Sequence, residues 1–85
     1  MLDKIQEIEN LIKRKNFALS QNKTQDFLKL LPITLANKDL IIAFYLLLVD
    51  SYCKDIKNIK ALEELEKINK IFSYEVKILT QIYDL

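Results

Sequence analysis

The chain offers few side chains able to do chemistry. Cys53 is its one thiol, and there is no histidine to act as a base beside it. A cysteine nucleophile is normally activated by such a base. Cys53 therefore reads as a small buried apolar residue, the usual place of a free cysteine. Being alone, it excludes an internal disulfide and fits a reducing compartment. Glu63 and Glu64 are adjacent carboxylates in a stretch rich in charge. On a solvated face they lack the raised pKa that acid–base catalysis needs. Glycine is absent, so loops that cradle phosphates lose the residue they depend on. No catalytic residue, metal ligand set or cofactor-binding residue is predicted, and the sequence argues against an enzyme.

Binding residues are easier to find. Lys13, Arg14 and Lys15 are consecutive, and Lys23 follows eight positions after Lys15. Together they could contact an anion or nucleic acid, and such binding would weaken steeply with salt. The plainer reading is a solvated helix end whose cations suit the macrodipole. The net charge of +1 gives no general drive toward nucleic acid or an anionic membrane. Residues 1–38 carry seven basic and four acidic side chains and residues 39–85 six and eight, a mild asymmetry. Tyr45 and Tyr52 read as core. Ile78, Ile82 and Tyr83 form an apolar line better suited to a protein interface.

The element that must position these residues is the run from Leu40 to Val49, ten apolar residues without a charge. Apolar character continues through Tyr52 and Cys53, too long for a strand and rich in leucine, so a helix is predicted. A helix apolar on all sides lies inside a protein or a membrane. At about 1.5 Å per residue the run spans about 15 Å, half the hydrocarbon core, which argues against a membrane span. Asn37 or Asp39 can cap it.

Ahead of it, Leu2, Ile5, Ile8, Leu11 and Ile12 recur at helical spacing, with Asp3 as a cap. This first helix is expected to reach Leu19 before Ser20–Lys23 breaks it. A second then begins after Thr24 and runs through Phe27 and Leu28. Pro32 either ends it near Leu31 or kinks it toward Leu35. After a break at 54–58, Ile59, Leu62, Leu65, Ile68 and Phe72 are predicted inward. Glu63–Lys67 and Glu66–Lys70 are ordered for favourable pairing. Val76, Leu79 and Tyr83 extend the stripe, either in one helix over 58–84 or in a fifth helix capped by Ser73. The fold class predicted is all-α, a single domain over 1–85 with four to five antiparallel helices.

The segment 45–68 resembles a tetratricopeptide-type helical hairpin. Tyr45, Leu48 and Tyr52 stand where that family lines its first helix, and Ala61 and Leu65 where the second packs against it. Val49, Ile56, Ile68 and Ser73 depart from the family's small, turn and closing residues. The family period of 34 residues places hairpins at about 8–37 and 42–71, followed by a C-terminal helix, and sets Phe27 at the small packing position of Ala61. The segment is also similar to a pentatricopeptide repeat, but Leu46 and Leu47 lack the hydrogen-bonding groups that read RNA bases.

The apolar fraction of 51% is high for so short a chain, which favours a partner or a second copy of itself. The function expected is a small protein-binding adaptor, chaperone or inhibitor. The alternatives are a nucleic-acid-binding regulator using the basic cluster, and a helical bundle similar to bacteriocin immunity proteins. The charged N-terminal stretch does not read as a signal peptide, so a cytoplasmic location is expected.

Overall fold

The computed structural model describes residues 2–72. They fold as α1 (Leu2–Lys13), α2 (Phe17–Leu30), α3 (Lys38–Lys54) and α4 (Asn58–Ile71), with a 3-10 turn at Leu35–Asn37 before α3. No strand occurs among the described residues. The architecture is all-α, two helical hairpins packed on one another. The question of a fifth helix, and Tyr74, Val76, Ile78, Leu79, Ile82 and Tyr83 with it, lies outside the described residues.

The ten-residue apolar run is the centre of the fold because its sides serve different neighbours. Phe44, fully buried, packs with Ile8 and Ile12 of α1, and Leu40 and Leu47 flank that cluster. Ile41, Ile42, Leu48, Val49 and Tyr52 pack instead with Ala61, Leu65 and Ile68 of α4. Leu28 and Leu31 touch both clusters and join them. A helix with only one apolar stripe could not fill both interfaces; one apolar nearly all round can.

The sequence places the first break too late. α1 ends at Lys13 rather than near Leu19, and Ser20–Lys23 lies inside α2, which starts at Phe17 rather than after Thr24. The turn takes only residues 14–16. Asn16 N–H donates to Leu11 O (2.9 Å) and Lys15 N–H to Ile12 O (3.0 Å), the paired bonds of a Schellman motif. Lys15 adopts the left-handed φ of 60° that such a turn requires, in a position where glycine is usual. Ser20 and Thr24 are tolerated within a helix because each hydroxyl donates to a carbonyl of the same helix, Ser20 to Phe17 O (2.8 Å) and Thr24 to Ser20 O (2.6 Å).

Pro32, with no amide hydrogen, does end α2 rather than kink it: the helix stops at Leu30 and Leu31 is extended. Thr34 Oγ1 then accepts from the Asn37 amide (3.3 Å) to start the 3-10 turn. Asn37 stands at the N-cap of α3 without a side-chain cap bond. In α4 the inward face is Ala61, Leu65 and Ile68, at helical spacing. Ile59, predicted inward, is 78% exposed, and Leu62 lies at the edge of the face. The small side chain of Ala61 sets the stripe, since it permits close approach to α3.

The hairpins share one plan at an offset of 41 residues. Phe17–Leu30 corresponds to Asn58–Ile71, and left-handed Lys15 to left-handed Ile56 (φ 59°). The second turn repeats the first, with Lys57 N–H donating to Tyr52 O (2.8 Å) and Ile56 N–H to Cys53 O (3.1 Å). Fully buried residues also correspond: Ile8 with Val49, Ser20 with Ala61 and Thr24 with Leu65. The offset exceeds the tetratricopeptide period of about 34, and the hairpins cover 2–30 and 38–71 rather than 8–37 and 42–71. The small packing position of the first hairpin is therefore Ser20, not Phe27.

Candidate binding surface

The contact between hairpins carries a polar seam. Ser20 Oγ and Ser51 Oγ, both completely buried, lie 2.6 Å apart, and the Ser51 hydroxyl also reaches Phe17 O (3.4 Å). Toward the turn, Gln21 Nε2 donates to Asp55 Oδ2 (3.3 Å); farther along α2, Gln25 Nε2 donates to the Tyr52 hydroxyl (3.0 Å). Each donor meets an acceptor, so the seam aligns two helices without orphaned groups. Its serine hydroxyls are occupied with each other and with the Phe17 carbonyl. Reading Ser20–Lys23 as a loop hides this seam. The signal is present, though: Phe17, Ser20, Gln21, Thr24, Leu28 and Leu31 recur three and four apart, which puts the small hydroxyls on the apolar face.

A cleft opens between α2 and α4 above α3, with Tyr45 and Leu48 as its floor and Gln25, Lys29, Glu64 and Lys67 around it. Burial, and then the Glu64 carboxylate, push the Tyr45 hydroxyl above its ordinary pKa. Lys67 Nζ donates to Glu64 Oε1 (3.1 Å), which raises the Lys67 pKa; this pair three apart takes Lys67 away from the predicted Glu63–Lys67 pairing. At about 240 Å³ the cleft falls short of pockets that enclose drug-sized ligands, about 300–1,000 Å³. It is sized for side chains. A smaller apolar hollow between Leu28, Leu31, Ile33, Ile41, Tyr45 and Ile71 continues it toward the α2–α3 link. There Leu30, Ile33 and Leu35 are 73%, 64% and 84% exposed.

Of the basic residues, Lys13 closes α1 and Arg14 and Lys15 form its turn. Lys23 stands apart, two helical turns up α2 and ion-paired with Glu7 across the hairpin. Lys54 of α3 instead joins the first group, lining a cleft with Ile12, Lys13, Lys15 and Phe17. The interface candidates Ile78, Ile82 and Tyr83 lie outside the described residues. Cys53 is half-buried, and burial followed by the nearby Asp50 carboxylate pushes its thiol pKa up, away from reactivity. Among the described residues no group of three or more His, Cys, Asp or Glu side chains could hold a metal ion, and no helix is long and apolar enough to cross a membrane. Comparison with protein-family models, curated proteins and solved structures finds no match for the chain.

Proposed function

We propose that the chain is a small non-enzymatic protein-binding protein, an adaptor, chaperone or inhibitor built on tetratricopeptide-like hairpins. The observation that carries this is the apolar surface at the α2–α3 link: Leu30, Ile33 and Leu35 stand in water beside a hollow floored by Ile41 and Tyr45. Leaving three large apolar side chains exposed together gives the fold nothing, whereas a partner that covers them gains about 25 cal/mol per Å² of apolar area. The cleft beside Tyr45 has the open, side-chain-sized form into which an amphipathic helix lays its anchors, and Lys29, Glu64 and Lys67 supply a charged rim. The partner is another protein.

Light scattering after size exclusion, with binding of an apolar dye, tests the surface. Dye binding that is lost in Leu30→Ser/Leu35→Ser supports it, and so does a partner captured from the native host by the wild-type chain but not by that variant. Capture unaffected by the variant refutes the site, as does a strict monomer that binds no dye. Self-association removed by the variant makes the second copy the occupant and overturns the reading of a separate partner.

A further inference from the structure

The two Schellman turns lie side by side, at the end of the molecule opposite the α2–α3 link. The cleft lined by Ile12, Lys13, Lys15, Phe17 and Lys54 joins them, as do the bonds from α2 to Ser51 and Asp55. Residues 13–17 and 54–60 contain six cations and one carboxylate, Asp55, with Glu9 and Asp50 bordering them beside Lys13 and Lys54, an excess of three cations in a chain whose total charge is only +1. Charge that looks mild when summed by halves is concentrated by the fold at one end. Asp55 is already engaged by Lys57 and Gln21, and Lys54 by Asp50. Lys13, Arg14, Lys15 and Lys60 make no ion pair among the described residues.

Among these cations stand two apolar side chains that the fold does not use. Ile56 is 88% exposed and Ile59 nearly as open. Ile56 also holds the left-handed φ of 59°, which a β-branched residue adopts only under strain. A residue both strained and exposed makes the turn less stable than glycine or asparagine would. Backbone strain kept without structural benefit points toward a binding role.

We propose that this end docks on an anionic lipid surface, with Ile56 and Ile59 entering the boundary between headgroups and acyl chains and the surrounding lysines at the level of the lipid phosphates. The arrangement fits that occupant in three ways. The isoleucines are displayed on a turn and the first turn of α4, so they can enter a soft surface without a preformed pocket. Lysine stems lie along apolar surface while their ammonium groups reach the phosphates. A nucleic-acid backbone would pair with the cations and leave the isoleucines in water. Each cation near an anionic bilayer contributes about five-fold to binding.

Co-sedimentation of the full chain with vesicles provides the test. Phosphatidylcholine vesicles are compared with vesicles containing about 30% phosphatidylserine. Binding is expected to the second only and to fall as salt rises. Lys13→Gln/Lys15→Gln/Lys60→Gln is expected to weaken it by about two orders of magnitude. Ile56→Asn/Ile59→Gln, in which asparagine accepts the left-handed backbone, is expected to weaken it on the order of ten-fold with the circular dichroism spectrum unchanged. No binding to anionic vesicles at low salt overturns the proposal. So does vesicle binding indifferent to the isoleucine substitutions, which would be plain electrostatic adsorption. Preferential binding of a single-stranded oligonucleotide or of polyglutamate, equally indifferent to Ile56 and Ile59, assigns the basic end to nucleic acid or an acidic protein and overturns it too.

Discussion

Ile56→Gly should make the protein more stable, which is unusual for the removal of an entire side chain. Ile56 sits at the left-handed position of the α3–α4 turn, φ 59°, and is 88% exposed, so its deletion opens no core cavity. The left-handed conformation costs an L-residue about 1–2 kcal/mol, and a branched β-carbon puts Ile56 toward the upper end. Glycine removes that cost but enlarges the unfolded ensemble, returning about 0.4–1 kcal/mol. The balance is a gain of about 1 kcal/mol, or about 4–8 °C in Tm for a domain of this size. Lys15→Gly probes the same geometry in the first turn (φ 60°) and should gain less, because lysine is unbranched at Cβ. Scanning calorimetry or thermal circular dichroism of the two variants and the parent reads the difference. A Tm unchanged or lowered in Ile56→Gly would refute the reasoning: Ile56 would then be contributing packing that its exposure denies.

Three further outcomes follow from the buried contacts and the charges. Leu48→Ala should cost about 3–5 kcal/mol, because Leu48 is 1% exposed between α2 and α4, enough to leave so small a domain largely unfolded by urea titration. Ser20→Ala or Ser51→Ala alone should cost about 1 kcal/mol by removing the bond between the two buried hydroxyls and leaving the survivor only its contact with Phe17 O, while the double variant costs less than the two single losses added, a coupling visible in a double-mutant cycle. The Asp55 pKa is held below its usual value by hydrogen bonds from Lys57 and then Gln21. Its carboxylate therefore stabilises the fold above the ordinary carboxyl pKa of 3.8 and loses that effect as pH falls through the depressed value. Asp55→Asn should flatten the acid side of a Tm-against-pH curve, and an unaltered acid limb would count against the contact.

The central helix was legible because nothing else in the sequence resembles Leu40–Val49, and a run apolar all round but too short to cross a membrane has one place to go, the middle of the fold. The α3–α4 turn was legible for the same local reason: Lys54–Asn58 interrupts two clear apolar patterns. The α1–α2 turn was not. Arg14-Lys15-Asn16 contains no glycine or proline, and lysine and arginine are good helix formers, so propensity carries a helix straight through it. Four residues later Ser20 and Thr24 look like loop material, yet they are buried on α2 because their hydroxyls bond to the helix's own carbonyls. The apolar stripe places Leu65 and Ile68 correctly but starts one residue line too early with Ile59, where the inward face instead begins at Ala61, the position the hairpin resemblance assigns to packing. Of the basic cluster, proximity in sequence served for Lys13 to Lys15 and failed for Lys23, since only the hairpin sets Glu7 beside it. Lys54 joined the group from 39 positions beyond Lys15, a tertiary fact no local pattern contains.

The two turns ask the same backbone of different residues, and the comparison separates folding from binding. At 15 the left-handed position holds lysine, which can keep its charge in water and loses little by being there. At 56 it holds isoleucine, which loses on strain and on hydration together. Were turn formation the only demand, the pairing bonds to Leu11 and Tyr52 show that either turn closes with an ordinary side chain, and glycine or asparagine would serve position 56 better. The fold alone therefore does not account for Ile56. If the isoleucine is there to meet a lipid surface, stability and vesicle binding must move in opposite directions at this one position: Ile56→Gly gains about 1 kcal/mol in the fold and loses partitioning into anionic vesicles. At Lys15 the substitution removes a cation as well, so a stability gain smaller than at 56 should accompany a loss of about five-fold in vesicle binding. A variant at 56 that gains stability and keeps full vesicle binding would leave the strained isoleucine without a role on the membrane side.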